Sequence, residues 1–231
     1  TSTGAKSDTL TVTYDNGAAA AQTATAAQTG TGISVATLGF SPASKAHGNV
    51  TVGASSAAET FTITNSGATA ATNVYIALTT ATQFALSNNN CGVIGTKITL
   101  AAAATCTFDV TFSPTSAGAK SDTVTVTYDN GAATGQTATA GQTGTGLSVA
   151  TLGFAPASKA FGNVTVGASS AAETFTITNS GATAATNVYV AFTTGTQFTL
   201  SSNTCGVFGA KITIAAAATC TVDVTFAPGT A

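Results

Sequence analysis

The sequence is short of charge. Charged side chains make up 6% of its 231 residues, six basic against eight acidic for a net −2, where about 25% is usual. Without a Lys/Arg surplus nothing neutralises a phosphate backbone, which excludes nucleic acid as a partner. The scarcity does not make a disordered chain, because 44% of the residues are hydrophobic and the net charge is small. Long apolar runs are missing too, so no membrane span is expected. The alanine-rich stretch Leu100 to Ala104 is short and bounded by Thr and Cys, against the ~18 residues of a spanning helix. Histidine occurs once, as His47, and there is no CxxC. A zinc site therefore lacks ligands, and we expect no metal and no cofactor. Methionine is absent, and the chain starts Thr1-Ser2-Thr3 with no basic and apolar leader. That start reads as a processed product or a piece of something longer.

Thr and Ala are in excess, roughly two-fifths of the chain, far above ordinary usage. The chain is also a duplication. Cys205 lies 114 positions after Cys91, and Asp122 the same distance after Asp8. Gly4-Ala5-Lys6-Ser7-Asp8-Thr9 returns as Gly118-Ala119-Lys120-Ser121-Asp122-Thr123, and Val50-Thr51-Val52-Gly53 as Val164-Thr165-Val166-Gly167. A period this long is a whole small domain rather than a solenoid turn.

Strand signals fill each repeat. Thr60-Phe61-Thr62-Ile63-Thr64, Thr107-Phe108-Asp109-Val110-Thr111-Phe112 and Thr123-Val124-Thr125-Val126-Thr127-Tyr128 alternate strictly. Such period-two patterns, rich in β-branched and aromatic residues, mark half-buried antiparallel strands. Phe61, Ile63, Phe108, Val110, Phe112, Val124, Val126 and Tyr128 should face a core, and the threonines water. Asp15-Asn16-Gly17 and Asp129-Asn130-Gly131 read as type I′ hairpin turns. Asn65-Ser66-Gly67 and Asn179-Ser180-Gly181 read as turns of the same kind. No amphipathic helix is evident, and the spacing of strands and turns indicates an all-β sandwich. Gln28-Thr29-Gly30-Thr31-Gly32 and Gln142-Thr143-Gly144-Thr145-Gly146 read as joints. Residues 33–146 are then one complete sandwich. Residues 1–32 are the final hairpin of a preceding one, and residues 147–231 a sandwich lacking its final hairpin.

Several segments together resemble a known family. They are Phe161-Gly162-Asn163-Val164-Thr165-Val166-Gly167, Phe175-Thr176-Ile177-Thr178-Asn179-Ser180-Gly181, Asn203-Thr204-Cys205-Gly206 and the run Cys220 to Pro228. The first repeat matches in register, with Cys91-Gly92 and Cys106 to Pro114. The order resembles the Hydin-type (ASH) immunoglobulin-like domains, especially the bacterial choice-of-anchor D tandem repeats. The resemblance implies tandem immunoglobulin-like antiparallel β-sandwiches of seven strands, serving as spacers or scaffolds in secreted bacterial proteins. It implies no enzyme activity.

The residues carry little other chemistry. Cys91 and Cys106 are 15 positions apart, as are Cys205 and Cys220. Two disulfides within repeats are expected, each contributing ~3 kcal/mol by loop closure, which points to an extracellular or cell-surface location. His47 stands where the second repeat has Phe161, so an aromatic filler at a sandwich edge is its expected role. Asp8, Asp15, Glu59, Asp109, Asp122, Asp129, Glu173 and Asp223 are scattered and mostly outward, without a calcium-loop pattern. Asn49-Val50-Thr51 and Asn163-Val164-Thr165 fit the N-glycosylation pattern and leave room for a glycan, although they also belong to the family's strand motif. The outward Thr rows suit an ice- or crystal-binding lattice less than they suit plain strand formation, since sandwich sheets twist.

The expectation is a structural extracellular repeat protein, not an enzyme, built as a head-to-tail filament or a long tandem array. Its partners are copies of itself, residues 1–32 of one completing 147–231 of a neighbour, with Ala231 in the place of Ala117. The alternative is an adhesin stalk or a carbohydrate- or cell-surface-binding module. A recognition head should have divergent loops, whereas the loops of the two repeats are nearly the same.

Overall fold

The computed structural model describes residues 2–194 and 197–229; Ala231 lies outside them. Every regular element among these residues is a strand. A first hairpin consists of β1 (Gly4–Tyr14) and β2 (Gln22–Gly32). The first repeat supplies β3 (Leu38–Ser41), β4 (Ser44–Thr51), β5 (Glu59–Asn65), β6 (Ala71–Leu78) and β7 (Phe84–Ser87). It continues with β8 (Ile98–Leu100), β9 (Thr105–Phe112), β10 (Gly118–Asp129) and β11 (Gln136–Leu147). The second repeat supplies β12 (Leu152–Ala155), β13 (Glu173–Asn179), β14 (Ala185–Val188), β15 (Phe198–Ser201), β16 (Ile212–Ile214) and β17 (Thr219–Phe226). By proximity the chain divides into two compact units. One holds Thr1–Ala46, Ala57–Thr111 and Ser121–Thr143, the other His47–Ser56, Phe112–Lys120 and Gly144–Ala231.

Alternation of Thr with apolar residues dictates the strand faces. In β9, Cys106, Phe108, Val110 and Phe112 are buried, while the intervening Thr and Asp are not. Phe61 and Ile63 in β5, and Val124, Val126 and Tyr128 in β10, are buried in the same way. All eight residues assigned to the core from the pattern are there. Threonine on the outward positions suits a pleated surface that is wet on one side. Phe61 stacks on Phe108 at 5.3 Å between ring centroids, and Phe40 meets Phe108 edge-on at 6.1 Å, both arrangements that ring quadrupoles favour.

The first repeat forms a four-stranded sheet, β3-β5-β9-β7, and a five-stranded sheet, β4-β11-β10-β6-β8. That is more than the seven strands the resemblance implied. The first edge is split, with β3 in one sheet and β4 in the other. Pro42 stands between them, and a residue without an N–H cannot continue a ladder. Short β7 and β8 add the rest. The second repeat has a four-stranded sheet, β12-β13-β17-β15, and the pair β14-β16. Its registers reproduce those of the first: Phe175 faces Val222 as Phe61 faces Phe108.

Two sets of expected turns differ from the sequence reading. Asn65 and Asn179 are fully buried. Asn65 Nδ2 donates to the carbonyls of Thr69, Leu100 and Ala101, and its Oδ1 accepts the N–H groups of Thr37 and Gly67. Asn179 makes the same bonds with Thr183, Ile214, Ala215, Thr151 and Gly181. Each is an internal staple that satisfies backbone groups which burial would otherwise penalise. Gly67 must follow it, because a Cβ would run into the Val35 carbonyl. The Asp-Asn-Gly segments do not make two-residue turns either. Tyr14 pairs with Gln22, leaving residues 15–21 as a wider loop. Asn16 Oδ1 accepts the N–H groups of Ala18 and Ala19, and Asp15 Oδ1 that of Ala21. Asn130 and Asp129 close the second loop in the same manner.

Candidate strand-docking site

The residues singled out for chemistry hold the strands together. Cys91 is bonded to Cys106 and Cys205 to Cys220, each with 5.1 Å between Cα atoms, and all four are buried. Each bond ties a loop to the second strand after it, β9 or β17. His47 Nδ1 lies 3.3 Å from Ser56 Oγ, and its ring packs 6.3 Å from that of Phe112, the edge position expected of it. Lys45 pairs with Glu59 and Lys159 with Glu173. Asp109 accepts Thr60 Oγ1–H and Asn88 Nδ2–H, which hold its carboxyl below the ordinary aspartate range. Among the described residues no three His, Cys, Asp or Glu side chains gather.

The open feature lies in the second repeat. Phe154, Phe161, Phe175, Phe192, Phe198 and Val224 line an apolar groove of about 430 Å³. Ring contacts run along it, Phe198 lying 4.9 Å from Phe226 and 5.8 Å from both Phe161 and Phe192. Below it a closed cluster of Ile177, Cys205, Ile214, Cys220 and Val222 remains buried. The first repeat shows what occupies the same place there. β10 runs antiparallel to β6, with Val124 opposite Leu78 and Val126 opposite Ile76, and β11 lies between β10 and β4. No described strand of the second repeat stands in these two positions. Two facing segments of the second repeat are less regular than their counterparts. The counterpart of β6, residues 185–192, is strand only as far as Val188, and the counterpart of β4, residues 158–165, is not strand at all.

The same two strands exist elsewhere as a hairpin. β1 repeats β10 and β2 repeats β11, and they pair with each other as a separate two-stranded sheet. Leu10, Val12 and Tyr14 are 67%, 57% and 50% exposed, whereas their counterparts Val124, Val126 and Tyr128 are 0%, 0% and 6% exposed.

Part of the chain is similar to domains of known proteins. Residues 34–134 fit the family model described as abnormal spindle-like microcephaly-associated, ASPM–SPD-2–Hydin. The first repeat is similar to the ASH family. Among solved structures, the ASH/PapD-like domain 7 of human CEP192 aligns at 13% identity and a TM-score of 0.39, over 48% of this chain and 86% of that one. The Vibrio cholerae protease VesB aligns at 19% identity and 0.37, over 48% of this chain and 31% of its own, so less than a third of that protein is spanned. The class 5 fimbriae chaperone CfaA aligns at 11% identity and 0.33, over 79% and 84%. No curated protein matches the chain.

The ASH-like first repeat also holds β10 and β11 by devices that the alternation did not reveal. Tyr128 Oη accepts the Leu38 N–H at 3.3 Å. Asp122, counted among the outward charges, is in fact buried. Its carboxylate accepts the N–H groups of Thr79, Thr80 and Ala81 and the hydroxyl of Thr80, at 2.9–3.2 Å. Burial alone would raise its pKa, but these bonds and the Thr123 N–H outweigh it and hold the carboxyl below the ordinary range. Gly144 lies flat on the Phe112 ring, where a Cβ would stand 2.5 Å from a ring carbon. The signal for all three was positional: each recurs one period earlier, as Tyr14, Asp8 and Gly30.

Proposed function

We propose that the protein is a structural unit of an extracellular filament or tandem array, in which the β1–β2 hairpin of one copy completes the second repeat of the next. The observation that carries this is the exposure of Leu10, Val12 and Tyr14 beside the burial of Val124, Val126 and Tyr128. Nearly the same strand sequence occurs once uncovered and once seated, and the second repeat presents an open apolar groove. Burying large apolar side chains of this kind contributes ~1.5–3 kcal/mol each. Added strands would also satisfy an open sheet edge. Hairpin and groove are different surfaces, so the contact propagates instead of closing on itself. In a longer chain with further copies of the repeat, as in bacterial choice-of-anchor D proteins, the next hairpin would fill the groove by covalent continuity. The two disulfides support an oxidising compartment outside the cytosol. The reading includes no enzymatic activity: His47 and the carboxylates serve strand edges and loops.

Sedimentation velocity across a concentration series, with electron micrographs of the same samples, tests it. Mass should rise with concentration, and unbranched fibres of uniform width should appear. A monodisperse monomer at every concentration would sink the reading.

A further inference from the structure

Gly30 has no local reason to be glycine. A Cβ there would meet nothing within 4 Å, and its φ lies outside the left-handed region. Its counterpart Gly144 is glycine because of the Phe112 ring. The counterpart of Phe112 is Phe226, whose ring stands against Phe198 at the groove. Asp8 poses the same question. It is exposed and accepts the N–H of its neighbour Thr9, while Asp122 caps the N–H groups of residues 79–81. The second repeat presents Thr193 and Thr194, the counterparts of Thr79 and Thr80, on its surface.

Resting on the filament reading above, we infer that the hairpin of a second copy docks in a single register fixed by Gly30 and Asp8. Leu10 lies opposite Phe192 and Val12 opposite Val190, Gly30 seats on the Phe226 ring, and the Asp8 carboxylate accepts the N–H groups of Thr193 and Thr194. Alternation alone does not fix this register, because a slip of two residues keeps Leu10, Val12 and Tyr14 inward. Gly30 pairs with Lys6 and Gln28 with Asp8, so a slip moves both devices together. One direction drives Gln28 onto the ring and brings Leu10 to the N–H groups. The other brings the Lys6 ammonium to them, where donor faces donor. Tyr14 Oη adds a third contact, to the Leu152 N–H, after the pattern of Tyr128 and Leu38.

Cysteine pairs on the outward face read the register directly. Thr125 lies opposite Ala77, so Thr11→Cys with Ala191→Cys in the full chain should oxidise to a ladder of linked multimers on a non-reducing gel. Thr9→Cys or Thr13→Cys with Ala191→Cys should not. Separately, Gly30→Val should weaken association by about tenfold or more, the scale of overpacking a tight contact. The outward Thr25→Val should leave association unchanged. A ladder from either slipped pair, or native-strength assembly of Gly30→Val, overturns the register while the filament stands. Absence of any multimer of the unmodified chain removes both.

Discussion

Leu38 and Leu152 hold the same place in their repeats, yet one is 4% and the other 41% exposed. The difference is not spread evenly. Asn65 and Asn179, Ile63 and Ile177, Leu100 and Ile214, and all four cysteines are buried in both repeats. Val50, Phe61, Val74 and Phe84 are buried, but Val164, Phe175, Val188 and Phe198 are not. The stapled, disulfide-bonded half of the sandwich is buried in both repeats, while the other half is closed only in the first, whose larger sheet includes β10 and β11. Residues 158–165 and 189–192 carry strand-forming sequence and still lack strand structure. For them the partner strand, not local propensity, decides.

The largest contrast should come from paired ring deletions. Phe61→Ala removes a fully buried, stacked ring and should lower stability by ~3–5 kcal/mol. Phe175→Ala, at the half-open counterpart, should lower it by ~1–2 kcal/mol in the unassembled chain. Equal losses in urea unfolding would show the second repeat to be as closed as the first. Next in size is the disulfide. Cys205→Ser with Cys220→Ser should cost ~3 kcal/mol and unfold the second repeat outright, because the closed cluster there is small. The same change at Cys91 and Cys106 should lower the unfolding midpoint of the first repeat and leave it folded at neutral pH.

Acid should act on the first repeat through Asp122. Its folded carboxyl titrates below the ordinary value of 3.8, so its contribution is complete above 3.8 and disappears as pH falls through the folded value. Unfolding free energy measured from about pH 5 down to about pH 2 should decline, and Asp122→Asn should flatten that decline. An unchanged slope would remove Asp122 as the cap. The smallest effect is expected at Thr107→Ala, on the outward face of β9, at about 0.5 kcal/mol or less. A cost exceeding that of Phe61→Ala would mean that the strand faces are inverted.

Much of the architecture was legible because Thr and apolar residues alternate so strictly. That pattern identified the inward faces of β5, β9 and β10, and the equal cysteine spacings gave both disulfides. Repeat arithmetic related β1 and β2 to β10 and β11. The structure was needed where one residue type serves two environments. Asn65 followed by Ser-Gly has the composition of a turn, and only the carbonyls of Leu100 and Ala101, distant in sequence, make it an internal staple. Asp122 looks like any strand-edge charge until the Thr79–Ala81 backbone is seen converging on it. Phe154 has the identity of a core residue, yet it lines the groove and is 55% exposed, which no local pattern records.

In the proposed head-to-tail assembly, separating hairpin and groove on one chain makes the array polar. However many copies join, one end displays an apolar hairpin and the other an apolar groove. The exposed nonpolar area thus belongs to the ends and is shared among more copies as length grows, which favours few long polymers over many short ones. The ends also differ in what caps them. A free hairpin peptide would stop growth at the groove end alone, and an isolated second repeat with an open groove and no hairpin of its own would stop it at the other.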